Sequence, residues 1–332
     1  MSYPMPQLRQ RAADRIVRAT LLLAVAACSH PVSGEPRMPT TPPPPSSPSN
    51  ASTAAQSPEQ GTLDINGIRY HYQTRGTGEP LLLLHGGLGT SEMFDPQLPI
   101  LGNGRRLILV DLQGHGRTSL GDRDFNLFDQ GDDMAELIKR LGFSQVDVMG
   151  YSLGAAVAFR LAVQHPAAVR RLVLVSMCFS TEGFFPELLP LQAQVGSAMA
   201  PMMKDTPMYQ SYVKVAPNPE DFPRLLDRLG AYMRKQYNWI DDVKKLQAQT
   251  MLVYGDSDMF RPEHIVQFYQ LLGGGLKDAG WMREHQGKNR LAILPDLTHY
   301  DMLMSPVLAT TVRPFLNGKP HVKSWAEHVS GK

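Results

Sequence analysis

Short apolar runs recur between residues 81 and 294, and segments that mix apolar with polar residues separate them. There are six such runs, at residues 81–84, 107–110, 146–149, 172–175, 251–254 and 291–294. Mostly apolar runs of about four to eight residues are typical of strands that are buried on both faces. Their alternation with amphipathic segments predicts an α/β fold, in which helices cover both faces of a mostly parallel sheet.

A hairpin is predicted just before the first of these runs. Residues 62–65 and 68–72 alternate between apolar and polar side chains on either side of Asn66-Gly67, a dipeptide that favours a two-residue turn. This hairpin would add antiparallel strands at one edge of the sheet. Since ligands in open sheets of this kind bind outside the carboxyl ends of the strands, we expect reactive residues directly after the apolar runs.

Composition divides the chain into a tail and a body. Of its 332 residues, 42% are hydrophobic and 19% are charged, which excludes a globally disordered chain. The formal net charge of +2 argues against a nucleic-acid-binding protein, which would carry a strongly basic surface. Nine of the 27 prolines lie between Pro31 and Pro58. We therefore predict a disordered tether at residues 28–60 and a folded domain at residues 61–332.

The first 27 residues have the pattern of a secretory signal. A segment that contains Arg9, Arg11, Arg15 and Arg18 precedes an uncharged, mostly apolar run at residues 19–27. This run is too short to span a bilayer and ends in small residues. The sequence Val25-Ala26-Ala27-Cys28 resembles the bacterial lipobox, in which the cysteine is lipidated before cleavage.

That resemblance predicts a signal peptide at residues 1–27 and a lipid on Cys28. The exported protein would be held by this lipid on a bacterial membrane, on its periplasmic or cell-surface side. Several acyl chains would give stable anchoring, whereas a single chain gives only marginal membrane binding. Plain secretion, with cleavage near Ala26 and an incidental Cys28, is the alternative.

The residues after the third run carry the strongest chemical signal. Gly150-Tyr151-Ser152-Leu153-Gly154 is a G-x-S-x-G sequence between a predicted strand and a helix that begins with small residues. In this context the serine lies on a strained turn that presents its hydroxyl above the sheet, with a helix N-terminus behind it. Ser152 is therefore the candidate nucleophile.

From roughly residue 62 to residue 316, the chain resembles the α/β-hydrolase superfamily. Four motifs follow the order of that family. They are His85-Gly86-Gly87, residues 111–117 with the sequence DLQGHGR, the turn at Ser152, and an acid and a histidine after the last two strands. The resemblance implies an eight-stranded, mostly parallel sheet with helices on both faces. It also implies a helical cap inserted at about residues 177–249.

The family order of serine, acid and histidine narrows the choice of partners for Ser152. The Gly-x-x-Asp pattern after the fifth run selects Asp258, with Asp256 as the competitor, whereas residues 176–179 offer no carboxylate. Among the downstream histidines, His264, His285, His299, His321 and His328, only His299 directly follows an apolar run. His85 and His115 lie beside tight glycine turns and are expected to be structural.

The same chemistry needs two donors for a developing oxyanion. One is the backbone N–H of Leu153, and by resemblance the other is that of Gly87. This chemistry requires no metal or organic cofactor. Cys28 and Cys178, the chain's two cysteines, also do not form a zinc-site pattern with its histidines.

The sequence favours a serine hydrolase that cleaves carboxylic ester or lactone bonds of small to medium apolar substrates through an acyl-enzyme. A serine nucleophile disfavours the epoxide hydrolases and haloalkane dehalogenases of this superfamily, because they use an aspartate. A carbon–carbon bond hydrolase and a cofactor-free perhydrolase remain open because both use the same triad, and a tethered binding module is the non-enzymatic alternative. The predicted cap is rich in Phe, Met and Leu, and residues 273–288 are predicted to form a surface loop.

Overall fold

The computed structural model describes residues 59–319 and 324–329. Eight strands are present in this part of the chain. They are β1 (Glu59–Ile65), β2 (Ile68–Arg75), β3 (Glu79–Leu84), β4 (Arg105–Val110), β5 (Val146–Tyr151), β6 (Val169–Val175), β7 (Gln249–Ser257) and β8 (Arg290–Thr298). Each of the six predicted apolar runs lies within one of the strands β3 to β8.

All eight strands form one sheet in the order β1-β2-β4-β3-β5-β6-β7-β8. Strands β3 to β8 pair in parallel, so their carboxyl ends lie on one side of the molecule, here termed the carboxyl end of the sheet. Strand β2 pairs antiparallel with β4, and β1 pairs antiparallel with β2. The predicted edge hairpin is present, and its turn residues Asn66 and Gly67 have φ values of 49° and 80°, as a type I′ turn requires.

Side chains alternate between the two faces of the sheet, and each face has its own apolar core. In β3, Leu82 and Leu84 belong to one core, whereas Leu81 and Leu83 belong to the other. Both faces are buried, which explains why the parallel strands are mostly apolar along their whole length.

Helices cover both faces of the sheet. They are α1 (Leu98–Leu101), α2 (Leu127–Arg140), α3 (Leu153–Gln164), α4 (Leu189–Ala193), α5 (Ala200–Met203), α6 (Pro207–Val215), α7 (Phe222–Met233), α8 (Ile240–Lys245), α9 (Pro262–Leu271), α10 (Pro306–Leu316) and α11 (Trp325–Val329). Helices α4 to α8 all lie between β6 and β7, in the segment for which the cap is predicted. Its boundaries as a domain stay a prediction.

Glu59, the first described residue, lies at the end of the sheet opposite its carboxyl end. Strand β1 runs parallel to β4, since each is antiparallel to β2. Glu59 therefore lies at the amino end of the sheet, where its carboxylate accepts a hydrogen bond of 3.2 Å from Arg106 near the start of β4. The predicted signal peptide, Cys28 and nearly all of the predicted tether lie outside the described residues.

Within the described ranges, no helix has the length and apolar character needed to cross a membrane.

Candidate active site

Ser152 lies on a sharp turn between β5 and α3, at the carboxyl end of the sheet. Its φ and ψ are 53° and −116°, a left-handed conformation that is strained for a residue with a side chain. A Cβ at Gly150 would lie 2.2 Å from the carbonyl oxygen of Gly154, and one at Gly154 would lie 2.1 Å from that of Leu84. Both positions therefore require glycine, as the sequence motif implies.

His299 directly follows β8 and contacts the serine. Its Nε2 lies 3.0 Å from Ser152 Oγ. The hydroxyl of Tyr151 donates a 2.5 Å hydrogen bond to the His299 carbonyl oxygen, and the ring of Phe260 packs edge-on against the imidazole. These contacts fix the ring so that one nitrogen faces the serine.

Asp258 contacts the other nitrogen of the same ring. Its Oδ1 lies 2.9 Å from His299 Nδ1, and its carboxylate is completely buried. Burial favours the neutral acid, but hydrogen bonds and the charge of His299 outweigh it and lower the pKa of Asp258. The carboxylate therefore stays charged and favours the His299 tautomer with a proton on Nδ1, which leaves Nε2 free to accept the serine proton.

The hydroxyl of Ser176 completes the surroundings of this carboxylate. It donates a 2.5 Å hydrogen bond to Asp258 Oδ2, while the N–H of Met259 donates to Oδ1 at 2.8 Å. Ser176 directly follows β6 and has a φ of 54°. From the sequence, residues 176–179 were singled out only for their lack of a carboxylate, so the contact of Ser176 with Asp258 was not predicted.

The competing acid and bases lie elsewhere. Asp256 is exposed, and its carboxylate accepts a 3.3 Å hydrogen bond from the neighbouring Ser257 hydroxyl. His264 is buried on α9, where its Nε2 accepts a hydrogen bond from the N–H of Phe179 and its ring stacks on that side chain. His285 lies in the loop before β8 and His328 lies on α11, whereas His321 is outside the described residues.

His85 and His115 are both fully buried, with ring centroids 5.4 Å apart. His85 Nε2 accepts a 3.0 Å hydrogen bond from the N–H of Leu112. Burial and the nearby His85 lower the pKa of His115 to about 3. Both rings hold loops together, and neither contacts Ser152, which fits the expected structural role.

The two candidate oxyanion donors are neighbours. Gly87 lies in the loop after β3, and a Cβ at this position would lie 3.8 Å from Leu153 Cδ2. Leu153 is the first residue of α3, so its N–H has no acceptor within the helix. A polarised carbonyl oxygen above Ser152 would therefore meet this N–H and the loop that contains Gly87.

A cavity of about 200 Å³ opens beside the histidine. It is lined by Phe185, Glu187, Leu188, Ser257, Asp258, Met259, His299 and Tyr300. Residues 185–188 come from the segment between β6 and β7, so this segment supplies an apolar wall next to the reactive groups. Glu187 adds one exposed carboxylate to that wall.

A larger cavity of about 630 Å³ lies among residues 75–107 and contains none of the groups around Ser152. Over residues 59–319 and 324–329, no cluster of three or more His, Cys, Asp or Glu side chains is arranged to hold a metal ion.

Comparison with known proteins identifies the fold. A family model described as alpha/beta hydrolase fold matches residues 79–200. The solved structure of a thermophilic esterase from Thermogutta terrifontis, with malate bound, superposes with a TM-score of 0.61 at 18% identity and covers 78% of this chain and 98% of that one. The predicted fold class, an α/β-hydrolase fold with a mostly parallel eight-stranded sheet, is confirmed.

Two hydrolases are more similar to this chain in sequence than that esterase is. The serine hydrolase BPHL of Mus musculus is 26% identical over 71% of this chain and 78% of its own length. The pimeloyl-[acyl-carrier protein] methyl ester esterase of Nitrosomonas europaea is 28% identical over 71% of this chain and 94% of its own length. Two further relatives, at 31% and 35% identity, match over only 42% and 40% of their own length. These comparisons show the α/β-hydrolase fold and a chain that is similar to hydrolases over 71% of its length.

Proposed function

We propose that the protein is a serine hydrolase that cleaves carboxylic ester or lactone bonds of small to medium apolar substrates. One observation carries this proposal, the continuous hydrogen-bonded chain from Ser152 Oγ through His299 to the buried Asp258 carboxylate. The names of two relatives, a serine hydrolase and a methyl ester esterase, support it.

The reaction proceeds in two halves. His299 Nε2 accepts the proton of Ser152 while Oγ attacks the substrate carbonyl, and the N–H groups of Leu153 and Gly87 stabilise the resulting oxyanion. The imidazolium then donates its proton to the leaving alkoxide, which departs and leaves an acyl-enzyme. In the second half, His299 deprotonates a water molecule that attacks the acyl carbon, and Ser152 leaves with the proton that returns from the ring.

The wall beside His299 supports the proposed substrate class. Phe185, Leu188, Met259 and Tyr300 offer apolar surface close to the reacting groups, and small-molecule sites are typically apolar with a few polar groups. The cavity of about 200 Å³ favours a short to medium acyl or alkyl group over a long lipid chain or a folded polypeptide.

Replacement of Ser152 by alanine tests the proposal. Triad knockouts in a serine protease lower kcat by about 10⁶, so Ser152→Ala is expected to lose turnover of p-nitrophenyl esters while its thermal unfolding midpoint stays unchanged. Labelling of the unmutated protein by a fluorophosphonate should reach one per chain and be absent from the variant. Turnover by Ser152→Ala, with contaminating enzyme excluded, would contradict the nucleophile assignment.

A substrate panel separates the proposed reaction from its alternatives. The p-nitrophenyl ester series from acetate upward should rise and then fall as the apolar cavity fills, by at most about 0.8 kcal/mol per methylene. A flat series together with carbon–carbon cleavage or peracid formation would favour those reactions. No turnover on any substrate, with no fluorophosphonate labelling, would favour a binding module.

We also propose export and anchoring through a lipid on Cys28. The sequence at residues 25–28 and the proline-rich segment after it support this location. Cys28→Ser should move the protein from the membrane fraction to the soluble fraction, or leave its signal uncleaved. A wild-type protein found wholly soluble outside the cytoplasm would favour plain secretion.

A further inference from the structure

We propose that the amino end of the sheet docks on an anionic membrane surface through an exposed aromatic patch, which holds the active site away from the bilayer. The patch consists of Trp281, Met282, Trp325 and Val329 and is termed the tryptophan patch. This inference concerns a surface distant from Ser152 and does not depend on the proposed hydrolysis.

The patch exposes large apolar side chains that a monomer in water would normally bury. Trp281 is 77% exposed and Trp325 is 60% exposed, whereas Trp239, the third tryptophan of the chain, is 8% exposed. The two exposed rings touch edge to face, with centroids 5.4 Å apart. Met282, adjacent to Trp281, and Val329, one helical turn from Trp325, are 65% and 66% exposed. A contiguous exposed patch of this kind marks an interaction site.

Hydrogen bonds place this patch at the amino end of the sheet. Trp281 lies in the loop that leads into β8, and at the close of this loop Asn289 Oδ1 accepts a 2.8 Å hydrogen bond from Thr250, the second residue of β7. Trp325 follows α10, whose last carbonyl, that of Leu316, accepts a hydrogen bond from Arg105 at the start of β4. Both rings therefore lie opposite the turn that carries Ser152.

The N-terminal segment enters at the same end. Glu59, the first described residue, bonds to Arg106 there, and β1 lies at the opposite edge of the sheet from β8. Neighbouring strands are about 4.8 Å apart, so an eight-stranded sheet is about 35 Å wide. Residues 28–58, extended at about 3.1 Å per residue, reach roughly 90 Å. A chain anchored at Cys28 can therefore bring the tryptophan patch onto the bilayer that holds it.

The charge around the patch favours an anionic lipid surface over an apolar protein groove. The described residues near the patch, 273–290 and Lys319, carry an excess of three positive charges, whereas the whole chain has a net charge of +2. The remaining residues therefore carry a net negative charge. Tryptophan is enriched where membranes meet water, and basic residues near an anionic surface each add about 1 kcal/mol of attraction. Exposed tryptophans beside an excess of positive charge therefore favour contact with the interface between an anionic bilayer and water.

Vesicle binding by the full-length chain with Cys28→Ser, which cannot be acylated at that position, tests this inference. One set of vesicles contains phosphatidylcholine and phosphatidylglycerol. A second set has the same composition, but part of its phosphatidylcholine carries brominated acyl chains. We expect the bromine to quench the emission of the exposed tryptophans, whereas the Trp281→Phe/Trp325→Phe variant, which keeps only the buried Trp239, should show little quenching.

The alanine pair measures the contribution of the patch. Trp281→Ala/Trp325→Ala should lower the vesicle partition coefficient about ten-fold or more, because burial of one large apolar side chain alone is worth about that factor. The control, Met202→Ala/Val266→Ala, removes two other exposed apolar side chains and should bind as the parent does. Added salt should weaken binding, since it screens surface charge. An unchanged far-UV circular dichroism spectrum and a cooperative thermal unfolding transition would show that each variant is folded.

Three results would overturn the proposal. The first is an absence of bromine quenching when Trp281 and Trp325 are both intact. The second is equal vesicle partition for the parent and the alanine pair. The third is a concentration-dependent dimer that the alanine pair abolishes and that vesicles do not dissociate, since a second copy of the chain would then cover the patch.

Discussion

The two ends of the sheet each bury a carboxylate, but they surround it with different partners. At the carboxyl end, Asp258 contacts an imidazole, a hydroxyl and backbone N–H groups. At the amino end, Asp147 is equally buried and accepts hydrogen bonds from Arg105 at 2.8 Å and from Arg170 at 2.9 and 3.0 Å.

This difference separates a carboxylate whose partners can exchange protons from one whose partners cannot. Arginine stays protonated at any pH at which the protein is folded, so the contacts of Asp147 are permanently charged. The hydrogen bond to this carboxylate raises the pKa of Arg170 further. Histidine and serine can exchange protons near neutral pH, so the contacts of Asp258 can change during a reaction.

Two strained backbone positions at the carboxyl end accompany the contacts of His299 and Asp258. Ser152 and Ser176 directly follow β5 and β6 and have φ values of 53° and 54°. Left-handed backbone costs about 1–3 kcal/mol per residue and persists where the surrounding structure over-determines it. Here the hydroxyl of Ser152 lies 3.0 Å from His299 Nε2 and that of Ser176 donates to Asp258, so these two strained residues orient hydroxyls towards the proposed catalytic groups.

The largest expected effect comes from Asp258→Asn, which keeps the shape of the side chain but donates to His299 instead of accepting from it. In a serine protease the equivalent change lowers kcat by about 10⁴, and a similar loss in p-nitrophenyl ester hydrolysis is expected here. Asp256→Asn is the matched control, because that side chain is exposed, and it should retain activity within about two-fold. A larger loss in Asp256→Asn would reverse the assignment of the acid.

Asp147→Asn should lower stability and leave kcat unchanged, whereas Asp258→Asn should mainly lower kcat. Breaking a buried ion pair leaves uncompensated charge and costs about 3–5 kcal/mol of unfolding free energy. We expect a lower midpoint in urea denaturation, but the kcat of the folded fraction should stay unchanged since Asp147 is at the other end of the sheet. A large loss of kcat in fully folded Asp147→Asn would show that the two ends are coupled.

The sequence predicted much of the carboxyl end because its signals are local. The turn at Ser152 depends on glycines within two residues, and His299 directly follows an apolar run. Asp258 was selected over Asp256 by the family's Gly-x-x-Asp pattern, and in the structure Asp258 is the one that contacts His299. Strand positions were also predictable, because burial on both faces requires mostly apolar runs.

The missed features depend on contacts between distant parts of the chain. Ser176 and Asp258 meet because β6 and β7 are neighbours, and no local pattern marks that serine. The segment 273–288 was predicted only as a surface loop, because the partner of Trp281 is Trp325, more than forty residues further along. The buried partners of Asp147 come from the starts of β4 and β6. The local pattern at residues 146–149 does not indicate these arginine partners of Asp147.

Ser176→Ala tests whether the hydroxyl beside Asp258 positions this carboxylate for its contact with His299. It removes a hydrogen bond to a charged group, worth about 1.5–3 kcal/mol, and part of this should appear as a loss of about ten-fold in kcat/KM. Ser176→Asn should recover part of the activity, because asparagine supplies a donor and tolerates a positive φ. Ser144→Ala, which removes an exposed hydroxyl in the loop before β5 at the other end of the sheet, is the control. A fully active Ser176→Ala would make this contact incidental.

The smallest expected effect concerns the pH dependence of stability at the carboxyl end. Burial, and to a lesser extent the charge of Arg261, lower the pKa of His264 to about 4, below the value of about 6.5 for an unfolded chain. The unfolded state therefore binds this proton first as the pH falls, so the stability that neutral His264 contributes is present above pH 6.5 and is lost towards pH 4.

His264→Gln keeps an acceptor for the N–H of Phe179 without this titration. Between pH 6.5 and 5, its unfolding free energy should fall by about 1 kcal/mol less than that of the parent. Parallel pH profiles for the two proteins, measured by urea denaturation, would show that His264 does not contribute to the acid sensitivity of this end.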